Sequence, residues 1–127
     1  MHSKIAVLMI MALSVGCGSS APPWVDASCI GRDQAATPHD KTVGELFCVH
    51  LGIVGGFAGA NPEARVTGSS IARVEVYVTD DSDGECCDQA ETKYERYEVK
   101  SVGESKLAVY SRPAMNQPSF ELTIRGK

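Results

Sequence analysis

Strict alternation of apolar and polar residues is the feature that most limits what this chain can become. In LFCVHLGIV, Phe47, Val49, Leu51 and Ile53 take every second position, and in SFELTIR, Phe120, Leu122 and Ile124 alternate with Glu121, Thr123 and Arg125. Successive side chains of a strand point to opposite faces, so a period of two predicts a strand near 46–54 and a one-sided strand near 120–125. KYERYEVKSV and KLAVYSR are strand-like on either side of Gly103-Glu104, and PAMNQP supplies the turn before the last strand. No internal repeat is present.

The middle of the chain supports two readings. Asn61, Pro62 and Glu63 form a helix start: a cap residue, a proline in the first turn and an acid near the positive end. Ala64, Thr67, Ile71, Val74 and Val78 then recur at steps of three and four, as on one helix face. Against this, Gly68-Ser69-Ser70 is a break, after which Val74, Val76 and Val78 alternate with Arg73, Glu75 and Tyr77. β-Branched residues favour the strand over 73–79. Pattern alone does not decide between them.

The N-terminus speaks to compartment. Lys4 precedes an apolar run from Ile5 to Leu13, the shape of a secretory leader and short of the ~20 residues a membrane-spanning helix needs. Leu13-Ser14-Val15-Gly16-Cys17 resembles a bacterial lipobox, with cleavage between Gly16 and Cys17 and acylation of the Cys17 thiol. Residues 1–16 are thus read as a lipoprotein signal peptide and 17–28 as a lipidated, proline-bearing tether. Residues 29–127 are read as a single domain. Two or more acyl chains hold a protein at a membrane where one does not, and Gly18 after Cys17 points to the outer membrane. Trp24, the single tryptophan, is expected to dock on the domain edge.

Four further cysteines, Cys29, Cys48, Cys86 and Cys87, predict two disulfides in an exported chain. A vicinal Cys86–Cys87 bond needs a strained ring, so the better arrangement gives each of them one partner from Cys29 and Cys48; the spacing leaves the connectivity open. The formal net charge is −4, without the clustered Lys and Arg that nucleic acid requires.

Chemistry-bearing patterns are few. Gly52, Gly55, Gly56 and Gly59 sit after a strand, but neither dinucleotide nor P-loop spacing is met, so a tight turn is the reading. The acidic run holding Asp81, Asp83 and Glu85 places Thr79 and Ala90 where a calcium loop needs carboxylates. It reads as a solvated loop, those three acids being the oxygens an irregular site would use. His39, Cys48 and His50 match no pair of metal-ligand hooks. His50 beside Cys48 would be a nucleophile–base pair only with a free thiolate. No catalytic residue, metal or cofactor is assigned, and the protein is not read as an enzyme.

PPWV after the lipobox, then FCVHLGIVGGFAGANPEARVTGSSIARVEV, resembles the LPP-twenty family of bacterial envelope lipoproteins. The matching residues are Pro23, Trp24 and Val25; Phe47, Gly52, Gly55 and Gly56; Asn61 and Pro62; and Ala72, Arg73 and Glu75. The resemblance implies a long helix packed on a sheet. The expected architecture is therefore α+β, a small and mostly antiparallel sheet with one main helix, stapled by disulfides. The expected role is a non-enzymatic lipoprotein, anchored through Cys17, that binds or braces another envelope component with a sheet edge or the strand bearing Tyr94 and Tyr97. The alternative is a small extracytoplasmic metal-binding or redox protein using the cysteines and the acidic loop.

Overall fold

The computed structural model describes residues 21–55, 59–79 and 91–127. Within them lie seven strands: β1 (His39–Lys41), β2 (Leu46–Val54), β3 (Glu63–Thr67), β4 (Ile71–Val78), β5 (Glu91–Val99), β6 (Gly103–Tyr110) and β7 (Phe120–Gly126). One sheet has the order β1-β7-β6-β3 and the other β2-β5-β4. All pairings between these strands are antiparallel except β1 with β7. This is the Greek-key order of an immunoglobulin-type sandwich.

The expected α+β architecture is overturned. Among the described residues the helical structure is a 3-10 turn at Arg32–Gln34, and no main helix packs on a sheet. The segment read as a helix is two strands in different sheets, β3 paired with β6 and β4 with β5. The reason lies at Gly68, whose φ of +105° is one L-residues rarely adopt. The chain turns there, and the coincidence of steps three and four on either side carries no helix. Of the five periodic positions, Ile71 is buried and Ala64 packs against the core, whereas Thr67 and Val74 are exposed.

The alternation does place the core. Phe47, Val49 and Leu51 of β2, with Tyr97 and Val99 of β5, meet Leu107, Val109, Leu122 and Ile124 of the facing sheet. Each such side chain contributes roughly 1.5–3 kcal/mol by leaving water. One carboxylate shares this interior. Glu95 is 1% exposed; the Tyr97 hydroxyl donates to its Oε1 at 2.6 Å and Arg73 Nη1 to its Oε2 at 3.2 Å. With both oxygens bonded, the carboxylate avoids the cost of a bare buried charge. Burial first, and then the Glu95 carboxylate, push the Tyr97 phenol well above its ordinary pKa.

A disulfide joins Cys29 to Cys48, with Cα atoms 4.5 Å apart. The preferred pairing of each with Cys86 or Cys87 is thereby replaced; those two cysteines lie outside the described residues. The bond pins the segment before β1 to the middle of β2, next to the bridge between Ile30 and Val49. Trp24 docks as expected: its ring lies 5.9 Å from the Arg96 guanidinium.

Candidate functional site

The strand registers bring three connections to one end of the sandwich. Val54 ends β2 opposite Glu91, the start of β5, and Val78 ends β4 opposite Lys93. In the other sheet Glu63, the start of β3, faces Tyr110 at the end of β6, and Val109 faces Phe120 at the start of β7. The connections 55–62, 79–90 and 111–119 therefore all leave and return at this end, although they lie far apart in sequence.

Side chains and backbone tie two of them together. Asn61 N donates to Ser111 O at 2.9 Å, and Gly55 and Ala60 exchange backbone hydrogen bonds of 2.7 and 3.1 Å. Arg65, on β3, is the main brace. Its Nε donates to Glu63 Oε2 at 3.0 Å, its Nη2 donates to Pro113 O at 2.8 Å, and its guanidinium lies 4.1 Å from the centre of the Tyr110 ring. Hydrogen bonding to Glu63 raises its already high pKa, so this brace stays charged at any working pH. Ser111 and Ser119 close the neck of the last connection through a 3.0 Å hydroxyl contact. Lys93 Nζ reaches from β5 to Pro62 O at 2.9 Å, linking the second sheet to the first connection. The result is a pair of connections braced to each other and to both sheets.

The residues singled out in the sequence fall elsewhere. Cys48 is in the disulfide, so the thiolate needed to pair with His50 is absent; the His50 ring packs edge-on against Tyr94 at 5.1 Å. His39 Nε2 contacts Gln34 O at 2.8 Å. Among the described residues no three His, Cys, Asp or Glu side chains gather as a metal site. Tyr97 points into the core and cannot serve on a recognition strand, while Tyr94 faces outward. Gly55, with a φ of +92°, opens the turn as expected, whereas Gly52, with a φ of +141°, lies within β2 at its bulge. Gly16, Cys17, Gly56, Asp81, Asp83, Glu85, Cys86 and Cys87 lie outside the described residues. Arg65, Tyr110 and the Ser111–Ser119 neck were not foreseen; the nearest signal is an arginine on a short strand and the Arg112-Pro113 pair after an alternating one.

No protein-family model and no curated protein matches the chain. Among solved structures the fold is similar to that of EhICP2, a cysteine protease inhibitor from Entamoeba histolytica. Identity is 9%, the match covers 78% of this chain and 93% of that one, and the TM-score is 0.61. It is also similar to amebosin, at 18% identity, 78% and 96% coverage and a TM-score of 0.57. At such identities the likeness is one of fold.

Proposed function

We propose that this sandwich is a non-enzymatic binding module that offers the connections at one end to a cysteine protease and inhibits it. The observation carrying this reading is the convergence of three connections at that end, with the 111–119 connection braced by Arg65. The likeness of fold to EhICP2, a cysteine protease inhibitor, supports the choice of partner. The 111–119 connection, braced by Arg65 and closed at its neck by Ser111 and Ser119, loses less conformational freedom on binding, which favours a protein target over a small substrate. On this reading the envelope component bound by the protein is a protease, and the module stands at the outer membrane on an acylated Cys17. The lipobox at Leu13–Cys17 supports that location.

The test is inhibition of papain by the mature chain, with trypsin as the control. Dose-dependent, reversible inhibition of papain alone is expected. Full papain activity at micromolar inhibitor would sink the assignment. Intact mass of the protein from a bacterial host checks the anchor: Cys17 to Lys127 plus acyl chains is expected, and an unacylated mass refutes it.

A further inference from the structure

On one flank of the sandwich both sheets run past their outer neighbours. β2 spans nine residues, yet among the described residues its outer side is met by Ile30 alone. Ile30 N donates to Cys48 O and His50 N to Ile30 O, each at 2.9 Å. β7 spans seven residues, and β1 pairs with it only from Ile124 to Gly126. Between these partial neighbours the chain crosses from one sheet to the other through residues 31–38 and the 3-10 turn. Above that crossing, towards the loop-bearing end, neither strand has an outer partner among the described residues.

The backbone there is prepared for one. Lys127 N donates to Lys41 O, and the alternation of a parallel ladder carried back along β7 turns the amide and carbonyl of Glu121 to the open side. In β2 the register slips between His50 and Gly52, and Gly52 has a φ of +141°. A glycine at a strand bulge often marks where a second backbone comes close; among the described residues a Cβ at Gly52 would have only Pro62 Cγ within 4 Å, at 3.8 Å. Between the two edges lies a cleft of about 580 Å³, with Leu51 and Gly52 on one side, Ser119 and Phe120 on the other, and exposed Asp33 of the 3-10 turn also lining it. The cleft is continuous with the loop-bearing end, because Ala60 and Pro62 of the first connection line it too.

We propose that this cleft is a strand-accepting slot, taking an extended segment of the same protease that the loop-bearing end holds. The segment lies along β2 beyond Ile30, its backbone pairs with the free edge over about 10 Å, and one apolar side chain seats between Leu51 and Phe120. An extended peptide suits this place because edge groups give main-chain bonds while the apolar walls select a side chain. The identity of the occupant rests on the inhibitor reading above; the slot itself rests on the registers.

The experiment titrates the ¹⁵N-labelled mature chain with acetyl-Thr-Val-Thr-Val-Thr-amide. Saturable amide shifts at Leu51, Gly52, Ile53 and Phe120 are expected, with binding at least tenfold weaker for the same peptide N-methylated at both valines. Asp33→Trp, which adds bulk to the cleft lining, should weaken peptide binding and papain inhibition tenfold or more. Shifts confined to β3 or β4, equal binding of the N-methylated peptide, or self-association in place of peptide binding would each overturn the slot. Unchanged inhibition by Asp33→Trp overturns the protease as occupant while leaving the inhibitor reading standing. If the parent chain binds peptide in the slot but inhibits nothing, the inhibitor reading fails and the named occupant with it.

Discussion

The two ends of the sandwich are built on opposite principles. At the end away from the connections, backbone is stitched to backbone: Gly44 N bonds Val99 O, Lys100 N bonds Ser70 O, and Val43 N bonds Lys127 O. Ser70 and Ser105 join there through buried hydroxyls 2.6 Å apart. A Cβ at Gly126 would overlap the Ser101 carbonyl oxygen and sit 3.0 Å from Val99 Cγ1. At the other end side chains such as Arg65, half in water, add to the backbone bonds, and among the described residues an added Cβ at Gly55 or Gly59 meets nothing within 4 Å. Stability is concentrated where the chain has no room to vary, which leaves the connections free to be shaped by what they bind.

The largest effect should come from the staple between the two ends. Replacing Cys29 and Cys48 with alanine should lower unfolding free energy by about 3 kcal/mol for a closure of this length, read from urea denaturation; a loss below 1 kcal/mol would show that the bridge at Ile30 holds the segment without it. Next is the tight end. Gly126→Ala should cost about 2–3 kcal/mol through overpacking, whereas Gly55→Ala should cost about 1 kcal/mol from its positive φ alone; equal losses would erase the contrast between the ends.

Ser105→Ala leaves the Ser70 amide and hydroxyl short of a buried partner and should cost about 2 kcal/mol. Arg65→Ala should do the reverse of these three. It should leave stability almost unchanged, while freeing the 111–119 connection and weakening papain inhibition about tenfold, or 1.4 kcal/mol.

The smallest effect is a pH dependence. The Lys127 ammonium bonded to Asp40 holds its carboxyl below the ordinary value of 3.8. A lowered folded pKa gives stability above the unfolded value that is lost as pH falls through the folded one. A faint loss of stability below pH 3.8 should therefore disappear in Lys127→Met.

What the sequence made legible follows the same division. β2 and β7 were readable because each buries one face, and burial writes a period of two into the residues themselves. The turn at Gly68 was visible as a break, yet β3 and β4 share a coincidental spacing that a helix would also produce, and only the partners β6 and β5 distinguish the two. The loop-bearing end was not readable, because Arg65 meets Pro113 across 48 positions and no local pattern records such a meeting. The disulfide was anticipated as chemistry but not as a pairing, since proximity of Cys29 to Cys48 depends on Ile30 lying beside Val49.

That covalent link also sets how the molecule carries load. A pull on the segment before Cys29 passes through sulfur to Cys48, in the interior of a strand that pairs with β5 from Leu46 to Val54 across one bulge. Tension directed along β2 must shear many hydrogen bonds together, where the same pull on a lone edge residue would unzip them one by one. A domain held this way can be pulled at the segment before Cys29 without fraying.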